Sequence, residues 1–480
     1  MNRRSFIAGS SLLPLYACSR RPPGQRLELS IVTASEEMDP YLDGNLVTAE
    51  LSWLYADGLT GANLSFPHAG ALSVRPPVFG TIGSPSRPSF HYELRAGIRW
   101  HDGKALTARD VADCFARVRQ SSWAHRRPFS LVESIDVRDD HRFTVVLEEP
   151  DMRFPQAFFT PYGSPGIPLI RPGRIPVGTG PFAVRSRRPD AASYERWEGS
   201  PRGTPAVPGA RLTFLGDGRT QELLLSSGDT DVALFLSHEY VIDRRLPYYR
   251  RRSGVAYAIL NAIGALDTVA LREAFSAAID RREIEASLYR GWSPLYDSVV
   301  APSVPGSDIR LSRPLDPAFA RSVFARAGAR SFEIATTGGI GVRIALLMQV
   351  QLARVGATAT IRTYADEAFL APDGPLRSGR FDVVLFGEYF SADPDLEASW
   401  GCGARPPAGG NFSNLCDPRF DRYVKSGDLR AALRELRSQC VVVPLVRSVQ
   451  CIGLSGRLRG AREPADLLSS VYQCAQWSIA

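Results

Sequence analysis

Lysine is almost absent from this chain. Of 57 basic residues only Lys104 and Lys425 are lysines. An arginine excess of this kind is a compositional habit, such as a GC-rich genome imposes, and not a nucleic-acid patch. The formal charge of +7 is spread over short basic clusters (Arg126-Arg127, Arg187-Arg188, Arg244-Arg245, Arg250 to Arg252). They form no nucleic-acid-binding module. Histidine is scarce too. His68, His91, His101, His125, His141 and His238 are scattered and pair with no cysteine at metal spacing, so no zinc site and no other metal is expected. Gly-x-Ser-x-Gly, His-Glu-x-x-His and Walker-type signatures are missing. An enzyme is therefore not expected, nor is a cofactor. Beyond the N-terminus no stretch is long and apolar enough to span a bilayer, which takes ~20 residues. What is present is ordinary: 44% apolar and 22% charged residues in a chain of 480, enough for two or three lobes with separate cores.

The N-terminus reads as an export signal. Arg3-Arg4 supply a basic start, and Phe6 to Ala17 is a short apolar run. Leu15-Tyr16-Ala17-Cys18 resembles a lipobox, in which Cys18 carries the lipid and becomes the new N-terminus. Arg3-Arg4-Ser5-Phe6-Ile7 resembles a twin-arginine signal. Residues 1–17 are thus expected to be removed and 18–26 to be a lipidated linker. Loss of Arg3 and Arg4 leaves a charge of +7 − 2 = +5. The expected location is the cell envelope, lipid-anchored on its periplasmic face. Six cysteines remain after Cys18. Cys402 and Cys416 bracket a loop rich in Gly, Pro and Asn and are the first candidates for a disulfide. Cys440 and Cys451 flank two apolar runs around Pro444, a second possible pair, and the pairing of Cys474 stays open. Cys114 lies on the apolar side of a helix and reads as a buried free thiol.

His91 to Val111 reads HYELRAGIRWHDGKALTARDV. Phe90, Tyr92 and Leu94 alternate as a strand. Gly97 breaks it, Asp102-Gly103 turns the chain, and a helix starts behind Thr107 with Asp110 three positions on. Thr107 is an N-cap, and Asp110 a short stand-in for the Glu of a capping box. The whole string resembles the signature of the family 5 extracellular solute-binding proteins, the peptide-binding components of ABC importers. Leu94, Arg95, Trp100, Asp102, Gly103, Leu106, Thr107, Asp110 and Val111 carry the match.

The rest of the chain continues the resemblance in order. Leu27 to Thr33 reads as a strand, followed by Met38-Asp39-Pro40. Leu46 to Leu59 has helical periodicity. Residues 60–90 are loop with short strands, and Phe143 to Leu147 is a strand. Pro176 to Phe182 matches the family's Gly-Thr-Gly-Pro-aromatic segment, a rigid turn fixing a strand start; a phosphate loop would need a Gly-Lys-Ser/Thr that is missing. A helix ends at Gly228, and a strand follows Asp231. Tyr257 to Leu260 is a strand ending at Asn261, and Leu271 to Arg281 a helix. Phe332 to Thr336, Val342 to Arg354 and Thr358 to Ile361 form a β-α-β unit, which predicts parallel strands. Asp382 to Phe386 is a strand, Phe420 to Arg437 one or two helices, and Val441 to Val446 a closing strand through Pro444.

The resemblance implies an α/β protein with the two-lobed periplasmic-binding-protein type II fold and an additional inserted subdomain. Lobe I takes 27–60, 166–258 and 446–480, the insertion 61–165, and lobe III 259–445. The ligand lies between the lobes. The resemblance puts Thr33, Ala34 and Ser35 at a strand end lining the cleft, and Tyr257, Leu260 and Asn261 where one segment crosses between lobes. It puts Phe386, Glu388, Tyr389, Ser391 and Asp393 on or beside the loop that holds a peptide main chain. In peptide binders of the family an Asp in that loop takes the amino terminus. Here Ser391 stands in that place, or a gap moves Asp393 into it. The implied partners are a peptide-like or other small polar solute, ABC permease and ATPase subunits, and the membrane through Cys18; a monomer is expected. A cell-envelope sensor or chaperone-like protein on the same scaffold is the alternative, and an extracellular enzyme a third.

Overall fold

The structure is a computed structural model. It describes residues 26–32, 38–39, 46–59, 72–74, 78–82, 86–120, 131–150, 154, 169–242, 247–328, 330–365, 368–369, 371, 373–389, 394–407, 409–462 and 471–480. The strands are β1 (Leu27–Ile31), β2 (Val78–Ile82), β3 (Arg87–Glu93), β4 (Val132–Val137), β5 (Arg142–Leu147), β6 (Phe182–Arg188), β7 (Ala191–Arg196) and β8 (Gly209–Phe214). They continue with β9 (Val232–Leu236), β10 (Tyr248–Leu260), β11 (Arg330–Thr337), β12 (Ala357–Tyr364), β13 (Val383–Tyr389) and β14 (Val442–Leu454).

A ten-stranded sheet runs β12-β11-β13-β10-β14-β9-β1-β8-β7-β6, and a four-stranded sheet runs β2-β3-β5-β4. Each end of the large sheet is covered by its own cores. Leu260, Phe275, Phe332 and Met348 lie in one core, and Val255, Tyr257, Trp400 and Phe412 in another. Leu29, Trp53, Leu212 and Trp477 fill the far end. The small sheet has a core around Phe90, Trp100, Phe115 and Phe143, which reaches beyond 61–165 to Leu59 and Leu169. The two long strands β10 and β14 join the ends of the large sheet, antiparallel to each other. β11 and β12 are parallel, with the helix Ile340–Arg354 between them. Among the described residues no helix is long and apolar enough to cross a membrane.

Local chemistry explains the elements that anchor this frame. The helix Ala108–Gln120 follows Thr107. Asp110 Oδ2 accepts from Thr107 N at 2.7 Å, and Asp110 N donates to Thr107 Oγ1 at 3.4 Å, a reciprocal capping box with Asp in place of Glu. Gly228 ends the helix Gly218–Ser227 with φ 81°, the left-handed conformation that glycine adopts without strain. Residues 418 to 439 form two helices, Pro418–Lys425 and Leu429–Gln439; Asp428 caps the second through Ala431 N at 2.9 Å.

The periodicity over Leu46 to Leu59 misleads. Only Leu46–Ser52 is helical. The carbonyls of Leu54 and Tyr55, which a helix would bond to N–H groups four residues on, accept instead from Phe182 N and Gly180 N at 3.0 Å each. This contact also explains the Gly-Thr-Gly turn. A Cβ on Gly178 would lie 1.8 Å from Tyr55 O, and one on Gly180 2.6 Å from the Tyr55 carbonyl carbon. Backbone passes against backbone there, and only glycine fits.

Candidate binding cleft

β13 runs antiparallel to β10, so its C-terminal end returns to Gly254, in the middle of the joining strand. β9 runs antiparallel to β14 and ends at Leu236 opposite Cys451. Strand ends from both halves therefore converge on the central part of β10 and β14. Ligands of open α/β sheets bind outside such carboxyl ends.

Side chains alternate across a sheet. In the β10–β13 ladder Tyr257 faces Phe386 and Val255 faces Glu388. The same face thus carries Tyr257, Phe386 and Glu388, three residues read from the sequence as cleft residues, and the fold brings them together. Tyr257 is 2% exposed, and its hydroxyl donates to Glu388 Oε2 at 2.9 Å. Ser399 Oγ donates to Glu388 Oε1 at 3.4 Å. The Tyr257 ring lies 6.2 Å from both Phe386 and Trp400. The two hydroxyls hold the Glu388 carboxylate in place. It is half-buried, fixed in one orientation, and fit to accept from an N–H or O–H group of a solute.

Leu260 and Asn261 are, like Tyr257, buried where β10 crosses between the halves. Leu260 is 0% exposed in the core beside Phe275 and Ile334, so it has no face toward a solute. Asn261 is 4% exposed and committed to the protein. Its Nδ2 donates to Gly379 O at 3.1 Å and Phe381 O at 2.9 Å, while its Oδ1 accepts from Ile263 N and Asn414 Nδ2, both at 3.1 Å. Both side chains are thus engaged within the protein. Side chains of a strand that joins two cores are buried on both faces, which a sequence position at a crossing cannot reveal. Thr33, Ala34, Ser35, Ser391, Asp393 and Cys18 lie outside the described residues, and Tyr389 is described only as the last residue of β13.

Two residues of this wall were not read from the sequence. Ser399 and Trp400 sit on the helix Leu396–Trp400, capped by Asp395 Oδ1 accepting from Ala398 N at 2.9 Å. The cap is a local signal, but nothing local says which strand the helix packs on. Cys402 and Cys416 are joined by a disulfide behind it. Within that loop Asn411 Nδ2 donates to Trp400 O and Gly401 O at 2.9 Å each, and Phe412 meets Phe386 edge-on at 5.7 Å. The loop therefore braces the wall. With a sequence separation of 14, the chain-entropy model assigns the bond roughly 3 kcal/mol. Reduction and alkylation should lower the denaturant midpoint accordingly, and non-reducing peptide mapping should recover the two cysteines in one cross-linked peptide. Two free thiols in protein taken from the envelope would refute this. Cys114, Cys440 and Cys474 are buried free thiols pushed up to about 12 by burial, too basic to act as nucleophiles. Among the described residues no group of three or more His, Cys, Asp or Glu could hold a metal.

Comparison with known proteins gives a consistent picture. The model of the family described as bacterial extracellular solute-binding proteins, family 5 Middle, matches residues 84–406. Heme-binding protein A of Haemophilus influenzae is 24% identical over 432 residues, 78% of either chain. Di/tripeptide-binding protein 1 of Pseudomonas aeruginosa is 23% identical over 393 residues, covering 70% of this chain and 71% of that one. In fold, the PBP/SBP MoaA in complex with mannopinic acid, from A. tumefacien R10, superposes with a TM-score of 0.81 at 18% identity, over 95% of this chain and 99% of the other.

Proposed function

Because the chain belongs to the family 5 bacterial extracellular solute-binding proteins, we propose that it captures a peptide-like or other small polar solute between its two halves and delivers it to an ABC permease. The wall of Tyr257, Phe386 and Glu388, with Ser399 behind the carboxylate, carries this reading. It offers a fixed polar acceptor against aromatic surface at the convergence of strand ends, the composition of a small-molecule site. Relatives named for heme and for di- and tripeptides support a small solute without fixing which one. The protein acts by binding. Closure shifts an existing open–closed equilibrium, and the solute supplies the difference by touching both halves. Energy for transport comes from the ATPase partner.

Lobe I is 27–60, 166–258 and 446–480, and lobe III is 259–445, with the insertion at 61–165. The boundaries at 258 and 445 fall inside β10 and β14, as befits strands that serve both lobes. The decisive experiment is native mass spectrometry of gently purified protein. One small polar solute should be retained and released on denaturation. A solute that is chemically converted during incubation would overturn the binding-only reading.

The chain works as a lipid-anchored monomer at the cell envelope. Leu15 to Cys18 behind a basic, short apolar segment supports the anchor. Cys18→Ala should move the protein from the membrane to the soluble fraction. Unchanged membrane association would refute lipidation at this residue.

A further inference from the structure

A second junction between the halves lies outside the β10–β14 pair. His238 and Glu239 follow β9, Glu239 opening the short helix Glu239–Ile242. Across from them stand the π-helical turn Glu285–Tyr289, with Trp292 just beyond, and the first turn of the helix Ile340–Arg354. His238 is 4% exposed. Its ring stacks on Tyr289 at 5.0 Å between centroids and 15° between planes. Its Nε2 lies 3.2 Å from Leu288 O. Glu239 pairs with Arg343 at 2.5 Å, with both side chains partly exposed. Trp292 lies 6.4 Å from His238 and 5.4 Å from Tyr248 on β10.

These contacts have the properties of a device that forms and breaks. The π turn ends at Arg290 (φ 51°) and Gly291 (φ 84°), so its last carbonyls look outside the turn for donors. Leu288 O finds one in the imidazole of the other half. Among the described residues the interface includes the stacked ring pair, the hydrogen bond, the ion pair and Trp292 packed beside Leu236 and Val241, still smaller than the cores on either side, so it can part while both halves stay folded. We propose that His238, Glu239, Tyr289 and Arg343 form a latch that holds the two lobes together and sets the open–closed equilibrium. This rests on the reading of the chain as a two-lobed capture protein. The latch fixes how much of the solute's binding energy is needed for closure, because a competent state that is already populated raises apparent affinity.

Acidity acts on it with a defined sign. Burial is the largest influence on His238 and lowers its pKa below the ordinary value; Arg343 lowers it as well, against Leu288 O and Glu239, which raise it. Tyr289, whose ring stacks on the imidazole, has its hydroxyl raised by burial and so stays neutral. A lowered pKa in the latched state means that this state binds the proton more weakly than the open one. The latch is therefore intact above about pH 6.5, the ordinary histidine value, and is lost as pH falls through it toward the lowered one.

The test needs no solute, so its failure and a failed solute assay are distinguishable. Spin labels at Glu198→Cys and Ser322→Cys, both exposed and on opposite lobes, report the inter-lobe distance in a chain carrying Cys18→Ser. At pH 7.5 Arg343→Glu should raise the wide-to-narrow population ratio at least threefold. Adding Glu239→Arg to it should restore the ratio to within twofold of the parent. Acidification to pH 5.0 should widen the parent, while His238→Asn should be wide at both pH values. The Glu239–Arg343 pair is partly exposed, so these variants keep the test valid if His238→Asn fails to fold. Distance distributions unchanged by Arg343→Glu, or not restored by the charge exchange, would overturn the latch.

Discussion

Replacing Arg202 with methionine is expected to lower the unfolding temperature by on the order of 10 °C. The reasoning starts from burial. The Arg202 and Asp57 side chains are 7% and 0% exposed, and Nε meets Asp57 Oδ1 at 2.5 Å. The guanidinium also donates through Nη1 to Tyr472 O at 2.6 Å and through Nη2 to Trp53 O at 2.5 Å and Ala56 O at 2.9 Å. The Tyr472 ring lies 4.5 Å from its carbon centre. One side chain thus ties the segment leading into the insertion to the C-terminal segment. Thr179 of the Gly-Thr-Gly turn donates to the other oxygen of Asp57 at 2.8 Å. Removing the cation strands a buried carboxylate, a loss of about 3–5 kcal/mol when one partner of a buried pair is deleted. Each kcal/mol moves the midpoint by roughly 2–4 °C in domains of about 150–250 residues. Adding Asp57→Asn should recover part of the loss, because the stranded charge is gone. A shift below about 2 °C in differential scanning fluorimetry would show that Arg202 does not carry this junction.

The second large effect falls on solute affinity. Glu388 holds its orientation through Tyr257 and Ser399, and a hydrogen bond to a charged group contributes about 1.5–3 kcal/mol. Glu388→Gln should weaken binding by about 10- to 100-fold, and Tyr257→Phe less, since the carboxylate remains. The character of the bound end depends on Ser391. If it stands where the family's Asp takes an amino terminus, that position offers no charge to an ammonium. Burying the ammonium without a partner costs several kcal/mol. The preferred solute is then neutral or acidic at that end, as in a blocked peptide or a glycoside. Calorimetry with matched free and amino-acetylated dipeptides distinguishes the cases. A preference for the acetylated form that survives Asp393→Asn is the expected result. Preference for the free amine, lost in Asp393→Asn and kept in Ser391→Ala, would make Asp393 the anchor. Its loss in Glu388→Gln instead would give that role to Glu388.

The sequence by itself determined what short-range chemistry can encode. Thr107 and Asp110 cap each other three residues apart, and Gly228 ends its helix where a left-handed residue is required. The β11–helix–β12 unit follows from alternation and helical periodicity in adjacent segments. The motif order from Leu94 to Pro444 led to the family because it samples many such local solutions at once. Tertiary structure alone decided the rest. Helical periodicity ran on to Leu59, yet the helix stops at Ser52 because Gly180 and Phe182 claim the carbonyls. Asn261 finds its partners in Gly379, Phe381 and Asn414, more than a hundred positions away. Tyr257 meets Glu388 across 131 positions, and Glu239 meets Arg343 across 104. Partners that distant are chosen by how the sheet is ordered around β10 and β14. That order comes from the burial of whole faces, to which each residue contributes only its polarity and size, so no single stretch of sequence contains it.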